Sequence, residues 1–244
     1  MRIDQLLVER GLASSRSQAQ RLIGSGVRWL DRADWKTVAK NGDDVPPDAE
    51  IELLDASESR YVSRGGLKLE GALKVTGIDP SGLLCLDVGQ STGGFTDCLL
   101  QRGAARVVGV DVGQAQLHDS LRNDERVLVI EKVNARELTA EQAGEDFDLI
   151  VGDLSFISMT LVLPAVVPLL KAGGHLLMLA KPQFELQPGQ VGKRGIVTDA
   201  SMYAVVEKRL RDCCAELGLQ VRAWFDSPID GGDGNREFFI HAQK

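Results

Sequence analysis

A glycine-rich loop bordered by carboxylates has the residue types of a binding site. It lies in the stretch LLCLDVGQSTGGFTDCLLQRGAARVVGVDVG, residues 83–113, between two apolar segments that end near Asp87 and at Asp111. Its glycines follow the pattern G-x-S-x-G-G, whereas a loop that binds the pyrophosphate of a dinucleotide has the pattern G-x-G-x-x-G. The stretch therefore predicts a small-molecule site at the carboxyl ends of strands, but not a nicotinamide site.

Charged side chains stand at the ends of other apolar segments as well. Asp153 ends the segment FDLIVGD, and Lys181 follows HLLMLA and precedes Pro182. Open α/β sheets bind ligands at the carboxyl ends of their strands, so acids at successive strand ends favour a binding role over helix capping. A lone lysine at a strand end commonly extends into solvent. The neighbouring acids favour catalysis for Lys181 instead.

The elements that must position these residues alternate between strand and helix. Helical patterns occur around residues 97–101, 161–170 and 202–217. The strand candidates are LLCLDV, RVVGVD, RVLVIE, FDLIVGD, HLLMLA, QVRAWF and REFFIHA. This alternation predicts an α/β fold with a parallel, doubly wound sheet. The last two candidates are joined by a segment too short for a crossover helix, so we expect them to pair antiparallel as a hairpin.

A sheet of this kind resembles that of the class I Rossmann-like methyltransferases, which use S-adenosylmethionine. The resemblance implies a seven-stranded, mostly parallel sheet with an antiparallel last strand. It implies that Asp87 meets the methionine amine, Asp111 the ribose hydroxyls and Asn134 the adenine edge, with Asp153 beneath the sulfonium. Asn134 is equally consistent with ordinary turn chemistry. The implied cofactor-binding residues are Asp87, Gly89, Ser91, Gly93, Gly94, Asp111, Asn134 and Asp153.

The N-terminal segment has a different pattern and a different charge. Ile3, Leu6, Leu7 and Leu12 fit one face of a short helix. Ser15 and Gln18 predict a capping box for a second helix that ends at Gly24 and Gly26, and VRWL and AEIELL predict strands around a polar middle. Basic residues predominate in residues 1–40 and acidic residues in 41–60. The composition change predicts a linker near the end of this segment.

The stretch RIDQLLVERGLASSRSQAQRLIGSGV resembles the small α+β RNA-binding module named after the fourth protein of the small ribosomal subunit. The resemblance implies RNA binding, and we expect Arg2, Arg16 and Arg21 to contact the RNA. An ordinary solvated helix face is the alternative for these arginines. The predicted organisation is an RNA-binding module over 1–57, a linker over 58–62 and a methyltransferase domain over 63–244.

Four residues resemble the Lys-Asp-Lys-Glu tetrad of the FtsJ-type ribose 2′-O-methyltransferases. They are Lys68 in SRGGLKL, Asp153, Lys181, and Glu237 in GNREFF. Together with the glycine-rich loop and the N-terminal module, they resemble the TlyA family of ribosomal RNA methyltransferases, once labelled haemolysins, over essentially the whole chain. This implies methyl transfer from S-adenosylmethionine to a ribose 2′-hydroxyl of RNA, with ribosomal RNA as the expected substrate and cytidine as the nucleotide that fits the family.

The implied roles follow from the chemistry of a hydroxyl group. A ribose hydroxyl is a poor nucleophile at neutral pH, so it needs a proton acceptor and an in-line approach to the methyl carbon. Removal of water and a neighbouring cation both favour a neutral amine, so we expect Lys181 to act as the base. Asp153 and Glu237 would hold Lys181 and Lys68 in place electrostatically.

Composition limits the remaining possibilities. The 244 residues are 43% hydrophobic, with a formal net charge of -7, and no apolar run reaches the length of a membrane helix, so we expect a soluble cytoplasmic protein. The cysteines and histidines lack metal-ligand spacing, so no metal is expected. The expected partners are ribosomal RNA or ribosomal subunits, with a monomer favoured. A cofactor-binding RNA-binding protein without catalysis and a haemolysin-like factor stay as alternatives, although the latter lacks an amphipathic segment.

Overall fold

The computed structural model describes residues 1–32, 34–54, 60–231 and 234–244, which form two compact units, Met1–Leu67 and Lys68–Lys244. Part of the predicted linker 58–62 lies outside the described residues. In the rest of it, the carbonyl of Tyr61 accepts a hydrogen bond from Gln18 Nε2 at 3.2 Å. This segment therefore packs within the first unit, and the domain bounds 1–57 and 63–244 stay a prediction.

The first unit combines two helices with a small antiparallel sheet. Its elements are α1 (Ile3–Glu9), α2 (Arg16–Gly26), β1 (Val27–Asp31), β2 (Asp34–Thr37) and β3 (Ile51–Leu53). The strand order is β2-β1-β3. Ile3, Leu7 and Leu22 are fully buried and share a core with Val27. The helical periodicity of these apolar residues therefore predicted the packed face correctly.

The start of α2 differs from the predicted capping box. The side chain of Ser15 caps the helix by accepting from the Gln18 backbone N–H at 3.3 Å. The Gln18 amide oxygen accepts instead from the backbone N–H of Ser14 at 2.6 Å, and its nitrogen donates to Tyr61. Gln18 is buried, so its tertiary partner decides its orientation.

Two further predictions for this unit were wrong in detail. Gly24 lies inside α2, which ends only at Gly26, where φ is 113°. The polar middle contains β2, which pairs with β1 and is exposed at every position. Because this edge strand has no buried face, it lacks the alternating apolar pattern by which strands are recognised.

The second unit is built around a seven-stranded sheet. Its elements are β4 (Leu84–Val88), α4 (Gly94–Gln101), β5 (Arg106–Asp111), α5 (Asp119–Arg122), β6 (Val127–Glu131), α6 (Ala140–Ala143), β7 (Phe147–Asp153), α7 (Leu163–Val166), β8 (Leu170–Ala180), α8 (Pro182–Glu185), α9 (Ser201–Glu216), β9 (Gln220–Asp226) and β10 (Phe238–Gln243). A further helix, α3 (Gly65–Thr76), begins just before the unit boundary and carries Lys68.

The sheet topology confirms the predicted fold. The strand order is β6-β5-β4-β7-β8-β10-β9. The neighbours from β6 to β8 pair in parallel, and β10 pairs antiparallel with both β8 and β9. The order changes direction at β4, which lies between β5 and β7. A crevice forms at the carboxyl ends of the strands where an open sheet reverses its order, so β4, β5 and β7 are expected to border the ligand site.

The observed helices differ from the predicted set, and the four-residue helices α5, α6 and α8 were not predicted. The helix predicted over 161–170 is interrupted: 3₁₀ turns at Met159–Leu161 and Val167–Leu169 flank the short α7, and Leu170 already belongs to β8. Pro164 and Pro168 each lack the N–H group that a continuous helix needs. Helix α3 was not among the predicted helices.

The described residues contain neither a membrane helix nor a metal-ligand cluster. No helix among them is long and apolar enough to cross a membrane. No group of three or more His, Cys, Asp or Glu side chains in these ranges is arranged to hold a metal ion. The four cysteines are free, and burial raises the pKa of Cys85 to about 12, so this thiol is a packing group.

Candidate active site

Three neighbouring strands bring two carboxylates and a lysine to one edge of the sheet. Asp153 ends β7, Lys181 directly follows β8, and Glu237 directly precedes β10. The sheet register places Ala180, the last residue of β8, opposite Phe238, the first residue of β10. Because β10 runs antiparallel to β8, its beginning lies beside the end of β8. The β9–β10 hairpin therefore delivers Glu237 to the edge where Lys181 stands.

The predicted tetrad consists of two ion pairs. Nζ of Lys181 lies 2.5 Å from Oδ1 of Asp153, and Nζ of Lys68 lies 2.5 Å from Oε2 of Glu237. Lys181 also donates to Oγ of Ser155 at 2.9 Å. The first pair has the distance of an ion pair but not the alignment of a hydrogen bond, because Asp153 Oδ1 has no aligned donor in the described part of the chain. Each of the four charged side chains therefore has a partner of opposite charge.

Electrostatics joins the two ion pairs into one group. Burial raises the pKa of Glu237, whereas the ammonium groups of Lys68 and Lys181 lower it and the carboxylate of Asp153 raises it. The side chain of Glu237 is only 3% exposed, and that of Lys68 is 9% exposed. Because water screens these charges poorly, a change of charge in one ion pair alters the electrostatic energy of the other.

Asn235, which was not predicted from the sequence, holds the chain segment that leads to Glu237. Its buried side chain accepts from the N–H of Val197 at 3.0 Å and donates to the carbonyl of Gly195 at 2.9 Å. The carbonyl of Glu237 accepts from the N–H of Ser227 at 2.9 Å. These bonds tie the segment before β10 to the loop before α9 and to the end of β9. One asparagine in a glycine-rich stretch gave no periodic signal.

The glycines of the loop after β4 meet steric needs of the protein itself. Gly89 has φ 83°, and a Cβ there would lie 2.7 Å from the carbonyl oxygen of Asp153. Gly93 has φ 95° and caps α4, and a Cβ there would lie 2.4 Å from Leu121. Gly94 is the first residue of α4. The loop therefore reaches the end of β7 because it contains glycine at these positions.

Asp87 is a fully buried carboxyl group with one unsatisfied oxygen. Oδ2 accepts from Oγ1 of Thr96 at 2.7 Å, and Thr96 in turn accepts from the buried Gln90 at 2.8 Å. Oδ1 has no hydrogen-bond partner among the residues that the structure describes. Burial raises the pKa of Asp87 to about 7, with the carboxylates of Asp153 and Asp111 adding to the effect and the Thr96 hydrogen bond opposing it. Such a group suits a cationic or hydrogen-bond-donating ligand.

Asp111 and Asn134 both bind backbone groups. Oδ2 of Asp111 accepts from the N–H of Ser91 at 2.7 Å, and Oδ1 accepts from the N–H of Gly113 at 2.6 Å. Asp111 thus holds the glycine-rich loop against the turn after β5. The exposed Asn134 accepts from the N–H of Arg136 at 3.1 Å and caps a 3₁₀ turn. This is ordinary turn chemistry, and an adenine contact of Asn134 stays a prediction.

Phe156 is an exposed aromatic residue beside the ion pairs that sequence reasoning also missed. It is 91% exposed and has φ 64°, a conformation that residues with side chains rarely adopt. Its ring centroid lies 5.1 Å from that of Phe184. It directly follows Ser155, which accepts from Lys181. A strained backbone that holds a large apolar side chain in solvent near a polar site is typical of a binding residue.

Glu185 holds the segment that carries Phe156. It is 4% exposed and accepts from Oγ of Ser158 at 2.5 Å and from the N–H of Met159 at 2.6 Å. Burial raises its pKa, which these two hydrogen bonds oppose. Glu185 ends α8, and Lys181 directly precedes that helix. The sequence KPQFE therefore joins a predicted catalytic residue to an anchor for the neighbouring loop.

The three predicted RNA-contact arginines all lie in the first unit. Arg2 is the N-cap of α1, Arg16 begins α2, and Arg21 lies within α2. Arg2 and Arg16 both donate to the carboxylate of Asp4. Their RNA contacts stay a prediction.

Comparison with known families matches both units. The model of the FtsJ-like methyltransferases matches residues 61–244, and the model of the S4 domain matches residues 1–26. The chain is 46% identical over 239 residues to the 16S/23S rRNA (cytidine-2′-O)-methyltransferase TlyA of Mycobacterium tuberculosis, which covers 98% of this chain and 88% of the relative.

Two other relatives carry hemolysin names. Hemolysin A of Brachyspira hyodysenteriae is 37% identical over 242 residues, which cover 99% of both chains. A solved structure of a hemolysin-named protein from Streptococcus thermophilus matches with a TM-score of 0.77 and 38% identity, covering 100% of this chain and 88% of that one. The similarity therefore extends over both units of the chain.

Proposed function

The chain belongs to the FtsJ-like methyltransferase family, and on that premise we propose that it transfers a methyl group from S-adenosylmethionine to the ribose 2′-hydroxyl of a cytidine in ribosomal RNA. The observation that carries the proposal is the pair of ion pairs, Lys181–Asp153 and Lys68–Glu237, at the carboxyl edge of the sheet. The name of the mycobacterial relative supports cytidine as the target, and the S4 domain match supports RNA as the substrate.

The residues at the glycine-rich loop fit S-adenosylmethionine. This cofactor supplies an electrophilic methyl group on a sulfonium sulfur, and it carries a cationic amine and two ribose hydroxyls. The unsatisfied Oδ1 of Asp87 suits the cationic amine. Each oxygen of Asp111 accepts one backbone N–H and keeps a lone pair for a ribose hydroxyl. The donor and acceptor types on the protein therefore match those of the ligand.

Lys181 is the proposed proton acceptor. Its Nζ is held by Asp153 and Ser155 at the carboxyl edge of the sheet, so its position does not depend on the substrate. A general base in this position has to present a free lone pair to the hydroxyl proton. Nζ of Lys181 then takes the proton of the 2′-hydroxyl as the hydroxyl oxygen attacks in line. Lys68 and Glu237 act as positioning residues that fix the electrostatic surroundings.

Phe156 is suited to hold the target nucleotide. Enzymes that act on a base remove that nucleotide from its stack and hold the free base in the active site, and we infer the same for the target nucleotide here. Aromatic rings stack on any base, with a contribution of about 1–3 kcal/mol for each base. Phe156 offers an exposed ring, supported by Phe184, one residue away from a contact of Lys181. We therefore assign it to stacking on the target cytosine.

We expect Phe156→Ala to lower kcat/KM for RNA by roughly 5-fold to 150-fold, which corresponds to the loss of one stacked base. Phe156→Trp should retain most of the activity, because the ring and not the particular residue is needed. The affinity for S-adenosylmethionine, measured by titration calorimetry, should not change. Val75→Ala is a suitable control, because Val75 is also exposed, at 64%, but lies at the end of α3. Equal effects of Phe156→Ala and Val75→Ala would contradict the stacking role.

The proposed function predicts a specific product. Incubation with tritiated S-adenosylmethionine and ribosomal subunits from cells that lack the enzyme should place label in 2′-O-methylcytidine, which resists alkaline hydrolysis of its 3′ phosphodiester. Nuclease digestion and chromatography of the nucleosides identify the product. Lys68→Ala should reduce the label, because it leaves the buried carboxylate of Glu237 without its partner. Label on a base, or no label on either subunit with a folded protein that binds the cofactor, would overturn the proposal.

A further inference from the structure

Asp4 is a buried carboxylate shared by two arginines that reach the surface of the first unit. Its side chain is 0% exposed. Nε and Nη2 of Arg2 donate to Oδ1 and Oδ2 at 3.0 and 2.9 Å, and Nη2 of Arg16 donates to Oδ2 at 2.9 Å. The side chains of Arg2 and Arg16 are 46% and 54% exposed. One carboxylate oxygen thus holds two guanidinium groups side by side, with part of each open to solvent.

Stability alone gives a poor reason for this arrangement. The hydrogen bond from Arg2 lowers the pKa of Asp4 far below its usual range, with burial opposing it and Arg16 lowering it further. Asp4 is therefore ionised at any physiological pH. A buried charge has a large desolvation cost, and a buried ion pair is often no more stabilising than apolar residues of similar size. An arrangement of two arginines around a buried carboxylate instead fixes where the arginines point.

The net charge of Arg2, Arg16 and Asp4 together is suited to one monovalent anion. Two guanidinium groups and one carboxylate leave a single positive charge, which matches the single negative charge of a phosphodiester. Charged groups near Arg2 also include Asp44, whose carboxylate interacts with it, and the amino group of Met1, which lies 3.6 Å from Asp44. Asp44 is 86% exposed, so water screens it well.

Glycine keeps one side of the Arg2 guanidinium uncovered. A Cβ at Gly42 would lie 3.5 Å from Cζ of Arg2, in ordinary van der Waals contact. Any longer side chain at this position would extend over or beside the guanidinium. The neighbourhood therefore leaves Arg2 accessible where it is not bound to Asp4.

We propose that Asp4 is a positioning residue that holds Arg2 and Arg16 as a two-arginine site for one phosphodiester of the RNA backbone. The planar fork of arginine matches the oxygens of a phosphate, and a fork already fixed by a carboxylate loses less freedom on binding. This inference rests on the proposed function, because it assumes an RNA substrate. It adds a residue that does not itself touch RNA but decides how two arginines do.

The decisive test uses a substitution for which a net-charge explanation and a positioning explanation predict opposite changes in RNA affinity. Asp4→Asn makes the protein more positive by one charge. If the arginines attract RNA only through their net charge, the variant should bind RNA more tightly. If Asp4 positions them, it should bind about 10-fold more weakly, the worth of roughly one charge-assisted hydrogen bond. The dependence of log K on log salt should also become less steep, by about 1 to 2 units.

Asp44→Asn is the matched control. It removes the same charge from the same neighbourhood, but Asp44 does not hold the fork of either arginine. We expect it to bind a ribosomal RNA fragment as tightly as the wild type or slightly more tightly, with an unchanged salt slope. Affinities would be measured with the full chain by fluorescence anisotropy at four salt concentrations. If Asp4→Asn behaves like Asp44→Asn while its melting curve shows a folded protein, the inference is wrong.

A second set of variants covers the case in which Asp4→Asn does not fold. Gly42→Glu places a carboxylate against the exposed guanidinium of Arg2, and Gly42→Gln adds the same bulk without the charge. We expect the Glu variant to weaken RNA binding about 10-fold, the worth of roughly one charge-assisted hydrogen bond, relative to the Gln variant. Equal RNA affinities and salt slopes for the two variants would overturn the site.

Two further measurements complete the test. A competition experiment distinguishes RNA phosphodiesters from free phosphate as the ligand, and a methylation assay distinguishes failure of this inference from failure of the proposed function. Inorganic phosphate at millimolar concentration should not compete measurably with RNA, because the contact with one phosphodiester is only one of many contacts in the complex. Full competition would instead assign the site to free phosphate, and it would contradict the inference. Methylation of ribosomal subunits by the wild type is measured alongside. If the wild type methylates RNA and Asp4→Asn binds normally, only this inference fails, whereas a wild type that neither binds nor methylates RNA removes the proposed function itself.

Discussion

Lys181→Ala is expected to lower the rate of methyl transfer by a factor of roughly 10² to 10⁴, the usual effect of removing a general base. The loss follows from the position of Nζ, which Asp153 and Ser155 hold at the carboxyl edge of the sheet. The affinity for S-adenosylmethionine should stay near the wild-type value, because Asp87, Asp111 and the glycine-rich loop, which we propose hold the cofactor, are unchanged in this variant. Single-turnover rates with tritiated cofactor, together with titration calorimetry, separate the two effects.

Two companion variants make this result specific. Lys181→Arg should be almost as inactive as Lys181→Ala, because a guanidinium stays protonated at any working pH. Lys171→Ala is the matched control, since Lys171 lies at the beginning of β8, the strand that Lys181 directly follows, and it also pairs with an aspartate, Asp148. It should retain full activity. A rate within about threefold of the wild type for either Lys181 variant, well below the range for general-base removal, would identify Lys181 as a structural lysine.

Asp87→Asn is expected to weaken S-adenosylmethionine binding by roughly 30-fold to 1,000-fold, the effect of removing one partner of a buried charge interaction. The substitution preserves the shape of the side chain and its acceptor for Thr96 but removes the negative charge that we propose faces the cationic amine. The exposed Asp212→Asn on α9 removes one charge elsewhere in the same unit and should leave the dissociation constant unchanged. Unchanged affinity in Asp87→Asn would exclude Asp87 from the cofactor site.

The raised pKa of Asp87 adds a dependence on pH. Because the pKa is about 7 in the ligand-free protein, binding of a cation requires loss of a proton below that pH. The affinity of the wild type for the cofactor should therefore rise between about pH 6 and pH 8 and then level off. Asp87→Asn should lose this component of the pH dependence. Calorimetry in buffers with different ionisation enthalpies would detect the released proton directly.

The same shift predicts an effect on stability in the absence of ligand. The folded-state pKa of about 7 lies above the value of 3.8 for a free aspartate side chain, so the contribution of Asp87 to stability is fully present below the lower value and decreases as pH rises towards the upper one. Asp87→Asn carries no such penalty. Its melting temperature relative to the wild type should therefore increase from about pH 4 to about pH 7 and stay constant above. A constant difference across this range would contradict the raised pKa.

Local patterns in the sequence were sufficient to predict the strands that are buried along most of their length. The prediction for β7 covered the same residues that the structure shows, Phe147–Asp153. Strands of a parallel sheet that is covered on both faces consist almost entirely of apolar residues, so they are recognised without knowledge of their neighbours. The short connection between the last two strands was sufficient to predict the antiparallel hairpin, β9–β10. Asp111 and Asp153 could be placed at strand ends for the same reason.

Sequence patterns gave wrong or missing predictions in two situations. In one, a residue contacts a partner that is distant in the sequence; in the other, a segment has no buried face. The edge strand β2 has no buried face and therefore no alternation. Gln18 has the spacing of a capping box but turns its side chain to Tyr61 and Ser14. Phe156 has no pattern at all, because exposure of an aromatic residue is a property of the folded surface.

By itself the sequence determined the strands of the seven-stranded sheet, the glycine-rich loop and the acids at the strand ends, and its resemblance to known methyltransferases singled out the tetrad. Only the tertiary structure decided which charges meet. Lys68 and Glu237 are 169 positions apart and form a buried pair because the β9–β10 hairpin returns the chain to the end of β8. The raised pKa of Asp87 and the shared carboxylate of Asp4 likewise arise from burial and proximity. The physical reason is that periodicity records which face of an element is buried, whereas electrostatic interactions depend on distances and desolvation that exist only after the strands and helices have packed.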